Sequence, residues 1–108
     1  MDFPKLRYLE AFPVNSQGEK FVCLRDPLNM TDKIVFLPLP VYFIVTMFDG
    51  QHSIRDIQAA YMRHFGQFLY TEKLHDLITQ LDTNLFLESE KYLARKSDLE
   101  KEFRNASG

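Results

Sequence analysis

The stretch Phe48-Asp49-Gly50-Gln51-His52-Ser53-Ile54-Arg55-Asp56-Ile57 stops one helix and starts another within a few residues. Gly50 can take the left-handed conformation that closes a helix. Ser53 offers its hydroxyl to the unsatisfied N–H groups of the next helix, and Asp56 stands where a capping-box acid belongs. The pattern predicts a tight helix–turn–helix in the middle of the chain.

Upstream, Val41 to Phe48 contains one polar residue, Thr46, and so predicts the most buried helix of the molecule. Pro38 or Pro40 fits its first turn, where a missing N–H costs nothing. Lys33-Ile34-Val35-Phe36-Leu37 before it reads as a strand. Asp26 to Asp32 is a loop, because Pro27 and the Asn, Asp and Thr residues favour turns. Leu6, Tyr8, Leu9, Phe12 and Val14 lead to the turn signal Asn15-Ser16-Gln17-Gly18, and Phe21-Val22-Cys23-Leu24-Arg25 returns, which suggests a hairpin.

Downstream, Ile54, Ile57, Ala60, Tyr61 and Phe65 form one helical stripe that Gly66 ends. Thr71 is placed to cap a third helix, with Leu74, Leu77, Ile78, Leu81 and Leu85 on its apolar side. Phe86-Leu87-Glu88 is too short for a helix and reads as a small strand or wing. From Ser89 the chain becomes a charge-dense helical pattern with a sparse apolar line, Tyr92, Leu99 and Phe103. The fold class is α+β, winged-helix-like: a three-stranded antiparallel sheet, three helices, a short strand and a charged C-terminal helix. Residues 1–88 form the domain, and residues 89–108 form a linker helix with a frayed tail.

At 108 residues, 45% hydrophobic, the chain fits one domain with a real core. A net charge of −2 supplies no global field for nucleic acid or anionic lipid. Cys23 is the single cysteine, which rules out an intrachain disulfide and suits a reducing, cytoplasmic setting. The longest uncharged run, Ile34 to Phe48, falls short of the roughly 18–20 residues that span a bilayer and is broken by Pro38 and Pro40.

No catalytic set is visible. His52, His64 and His75 fall on a turn and two helices with no metal-ligand spacing. Cys23 lies in an apolar strand and reads as a small buried hydrophobe. Glycines 18, 50, 66 and 108 are too scattered for a phosphate loop. Neither a catalytic role nor a cofactor or metal is expected.

Two binding readings compete. DNA recognition by the third helix would need a basic face, yet Lys73, Gln80 and Asn84 are offset by Glu72, Asp76 and Asp82. Peptide recognition needs only an exposed strand edge and a neighbouring groove, and Lys33–Leu37 is the candidate edge, with Lys33 as its guard. A third reading is a structural or dimerisation domain, a homodimer pairing through Tyr92, Leu99 and Phe103.

The run from the buried helix through Phe48-Asp49-Gly50 to Ser53-Ile54-Arg55-Asp56-Ile57 resembles the pyrroloquinoline quinone biosynthesis protein D family and the related peptide-recognition elements. That resemblance implies a leader peptide bound as an added strand between Lys33–Leu37 and Thr71–Asn84. More of the chain is similar to an N-terminal extension of bacterial Memo-type proteins of the AmmeMemoRadiSam system. The residues carrying this likeness are Leu6-Arg7, Ala11-Phe12-Pro13-Val14, Cys23-Leu24-Arg25-Asp26-Pro27-Leu28, Asp49-Gly50-Gln51-His52-Ser53, Ser89-Glu90-Lys91-Tyr92 and Glu102-Phe103-Arg104. It implies one domain of a longer protein, cut in the linker helix. Its partner would be a peptide or protein: a radical SAM enzyme of that system, or the rest of its own chain. The expected mechanism is main-chain pairing along Lys33, Val35 and Leu37, with side-chain selectivity from Lys73, Leu77 and Gln80.

Overall fold

The computed structural model describes residues 2–107, and side chains for residues 2–102. Three strands, β1 (Glu10–Ser16), β2 (Glu19–Arg25) and β3 (Ile34–Pro38), form an antiparallel sheet in the order β1-β2-β3. Four helices follow: α1 (Leu39–Val45), α2 (Ile54–Phe65), α3 (Thr71–Thr83) and α4 (Glu90–Ser107). The α+β arrangement read from the sequence is the observed one.

Local chemistry explains most boundaries. The hairpin turn is tighter than its four-residue signal suggested: Asn15 and Ser16 belong to β1, and only Gln17 (φ 51°) and Gly18 (φ 81°) turn. Two successive positive φ values suit the right-handed twist of the strands they join. Pro38 is the N-cap of α1, and Pro40 lies in its first turn. This helix is shorter and less buried than expected. It ends at Val45, because Thr46, Met47 and Phe48 form a turn, and within it only Ile44 and Val45 are buried.

The decisive stretch behaves as its residues dictate. Asp56 N–H donates to Ser53 Oγ over 3.1 Å, and Ser53 N–H returns a 3.0 Å bond to Asp56 Oδ2. This reciprocal capping box starts α2, and Gly66 closes it at φ 69°. Thr71 is not the cap of α3, a correction to the sequence reading. Tyr70 holds that position, and Thr71 Oγ1 instead accepts a 2.9 Å bond from Gln58 Nε2 on α2. Leu85 falls outside α3, in the left-handed region at φ 64°. There Leu85 N–H bonds to Asp82 C=O and Phe86 N–H to Leu81 C=O, the paired bonds of a Schellman closure made without glycine.

The core lies between one sheet face and the helices. Val22, Leu24, Val35 and Leu37 come from the sheet, and Ile44, Val45, Ile57, Leu74, Ile78 and Leu81 from the helices. Phe48, Phe86 and Leu87 complete it, the last two fully buried. Burying each such side chain contributes about 1.5–3 kcal/mol. Leu87 does not join the three-stranded sheet. It bridges Leu6, while Lys5 bridges Asp49, so residues 4–7 run as the middle of a small antiparallel ribbon. Leu6 N–H donates to Phe48 C=O and Glu88 N–H to Lys5 C=O.

Candidate functional site

β3 pairs with β2 on one side only, so among the described residues its other edge is unpaired. Beside that edge runs a groove of about 440 Å³. Leu37, Val41, Ile44 and Leu69 supply apolar surface, and Lys73, Asp76, Leu77 and Gln80 of α3 form the opposite wall. The helical spacing of those four residues puts them along one side of α3.

Of the residues singled out from the sequence, Leu37, Lys73, Leu77 and Gln80 are brought together here. Val35 is buried in the core cluster and Lys33 sits in the loop before β3, its N–H bonded to Thr31 Oγ1; neither lines the groove. Period-two alternation explains the division, since β3 turns Val35 and Leu37 inward and Ile34, Phe36 and Pro38 outward.

Sequence reasoning missed a second constellation. Arg7 is 3% exposed and Asp26 1%. Arg7 Nη1 donates to Asp26 Oδ1 over 3.1 Å, and Nη2 stands 3.0 Å from Oδ2 as an ion-pair contact without hydrogen-bond geometry. Arg7 Nε also donates to Leu85 C=O, and the guanidinium lies 5.0 Å from the centre of the Tyr92 ring. Asp26 accepts further bonds from the N–H groups of Leu28, Met30 and Thr31. Burial pushes its carboxyl pKa up, but the Arg7 bond, these N–H donors and the Arg7 charge outweigh that and hold it at about 2. An Arg and an Asp separated by a whole hairpin carry no local signal of pairing.

Other titratable groups offer little chemistry. Burial pushes the Cys23 thiol up, with a smaller opposing pull from Arg25, so it stays protonated at neutral pH. Asp49 accepts from the Gln51 N–H and contacts His52 Nδ1 at 2.9 Å, which holds its carboxyl below the usual range at an exposed turn. Among the described residues no group of His, Cys, Asp and Glu could hold a metal ion, and no helix is long and apolar enough to cross a membrane.

The chain is 30% identical over 109 aligned positions to a protein of Aquifex aeolicus (strain VF5) described as a MEMO1 family protein. This supports a Memo-type relationship. The alignment covers 96% of this chain and 28% of the relative, so the chain spans less than a third of that protein. No family model and no solved structure matches the chain.

Some of the residues that carried the Memo-type likeness in the sequence are linked through Arg7 and its segment. Leu6-Arg7, Asp26, Asp49-Gly50 and Ser89 to Tyr92 are far apart along the chain. The ribbon, the Arg7–Asp26 pair and the Arg7–Tyr92 stacking contact link them. Ser89 Oγ donates to Asp82, tying the start of α4 to the end of α3. This part of the likeness therefore corresponds to scaffold and lies apart from the groove.

Proposed function

We propose that this Memo-related chain is a non-catalytic recognition domain that holds an extended peptide or protein segment by strand addition at β3. The supporting observation is the unpaired β3 edge lying directly beside a groove with Leu37 on one wall and Leu77 on the other. Main-chain hydrogen bonds would supply affinity, and Lys73, Leu77 and Gln80 selectivity. The partner in this reading is a segment of an associated enzyme, a radical SAM protein of a Memo-type system, or another part of a longer chain carrying this domain, in the cytoplasm.

Charge argues against the DNA-binding alternative. The exposed residues of α3 include Glu72 and Asp76 beside Lys73, a mixed surface that gives phosphate no continuous cationic track. Dimerisation through α4 has less behind it. Tyr92 and Leu99 are half-buried against an otherwise exposed helix, and the Phe103 side chain lies outside the described residues.

The test is an NMR titration of the isotopically labelled chain with overlapping peptides from proteins encoded beside it, and with a duplex DNA control. Shifts confined to Ile34–Pro38 and Thr71–Thr83 with peptide, and lost in Leu77→Glu, are the expected result. Shifts with DNA alone, or peptide shifts unchanged in Leu77→Glu, would overturn it.

A further inference from the structure

We propose that the sheet face turned away from the helices is a self-association surface, on which a second copy of this chain packs face to face about a two-fold axis. This goes beyond the strand-addition reading, because it uses the open face of the sheet and leaves the β3 edge free.

The helices pack on the face bearing Val22, Leu24, Val35 and Leu37. Alternation sends Phe12 and Val14 of β1, Phe21 and Cys23 of β2, and Phe36 of β3 to the opposite face. Register sets these residues in rows across the strands. Phe12, Cys23 and Phe36 form one row, in which Phe12 is 42% and Phe36 58% exposed while Cys23 between them is buried. Val14, Phe21 and Pro38 form the next row. Val14 and Phe21 are half-buried and line a hollow of about 430 Å³. The face thus carries a ridge and, one row along, a hollow. Polar residues close both ends, Glu10 and Arg25 beyond the ridge, Ser16 and Glu19 beyond the hollow.

That pattern is self-complementary. An isologous pair uses the same patch on both copies. Sheets packed face to face in the aligned way keep their strand directions within about 30°. A two-fold axis lying between the sheets and across the strands reverses the strand direction. It seats the Phe12 ridge of each copy over Val14 and the hollow of the other, and brings Arg25 of each copy to Glu19 of the other. Arg25 and Glu19 are exposed, and neither is in an ion pair among the described residues. Glu10 then faces the uncharged Ser16. An axis along the strands would instead set Phe12 against Phe36, Arg25 against Arg25 and Glu19 against Glu19, ridge on ridge with like charges facing. Relief and charge together select a second copy in one orientation.

Three strands of up to seven residues present a face of about 15 by 23 Å. Covering it on both copies buries on the order of 1,000 Å² in total, the low end for a specific interface. The dimer is therefore weak and reversible, with a Kd on the order of 100 µM.

Sedimentation equilibrium of the intact chain, loaded from about 10 µM to about 1 mM, reads this association directly. A monomer at the lowest loading and a dimer at the highest are expected. Phe12→Thr, a β-compatible change at an exposed position outside the groove, should leave a monomer throughout. Arg25→Glu or Glu19→Arg alone should weaken the dimer about tenfold, since each change acts at two symmetric contacts. Combining them should restore it, which a merely misfolded single variant would not allow. A monomer at every concentration would overturn the inference. So would a dimer that the double charge reversal fails to restore, or one indifferent to Phe12→Thr, as pairing through α4 predicts.

Discussion

Arg7 and Asp26 form an ion pair inside the protein, with Nη1 to Oδ1 at 3.1 Å and both side chains almost wholly withdrawn from solvent. The pair joins the N-terminal segment to the β2–β3 loop. Through Leu85 C=O and the Tyr92 ring it also reaches the end of α3 and the start of α4. Asp26 further organises its own loop by accepting three backbone N–H bonds. Removing either partner leaves the other charge buried without its counterion.

Arg7→Leu is therefore expected to destabilise the chain by about 3–5 kcal/mol, measured by urea unfolding. A hydrophobic replacement of both partners should not restore stability, because the N–H groups of Leu28, Met30 and Thr31 would lose their acceptor. Full recovery in an Arg7→Met, Asp26→Leu double variant would show that the carboxylate does not organise the loop.

Acid should weaken the fold through Asp26. Its folded pKa of about 2 lies below the ordinary 3.8, so the folded state binds this proton less readily than the unfolded chain does. The stabilisation is complete above the unfolded value and is lost as pH falls from about 4 toward 2, amounting to about 2 kcal/mol. Unfolding free energies across that window should slope downward with falling pH, and Asp26→Asn should flatten this part of the slope. An unchanged slope would assign acid sensitivity to other carboxylates.

Gly50 and Gly66 separate backbone strain from crowding. Both have positive φ, 79° and 69°. A Cβ at Gly66 meets open space, whereas at Gly50 it would stand 3.1 Å from Lys5 Cδ. Gly66→Ala should cost about 1 kcal/mol from conformation alone. Gly50→Ala should cost more, because the Lys5 side chain must also give way. Thermal unfolding of the two variants side by side checks the order.

The capping box gives a calibrated local prediction. Ser53→Ala removes the acceptor for Asp56 N–H at the start of α2 and should cost about 1 kcal/mol. Calorimetry would show it as a lowered Tm, and an unchanged Tm would show that the capping box contributes little to α2.

Much of the architecture was legible in residues that act on their neighbours. Ser53 and Asp56 start α2, Gly66 ends it, and Gln17-Gly18 turns the hairpin, all through bonds or φ preferences spanning a few positions. Leu85 shows where such reading stops. At helical spacing it belongs with the stripe of α3, yet the chain leaves the helix before it. Its carbonyl there accepts the bond from Arg7. Thr71 is similar: an ordinary capping residue by type, it serves Gln58 of another helix instead.

The amino-acid order by itself determined the three strands and the helix–turn–helix. Periodicity, caps and turn residues act within a few positions and need no knowledge of the fold. Tertiary structure alone decided that β3 is an edge strand, that Val35 belongs to the core, and that residues 4–7 pair with two distant segments. It also decided that Arg7 meets Asp26. Those outcomes depend on which surfaces meet after the chain has folded back on itself, and a buried charge can find its partner at any sequence distance.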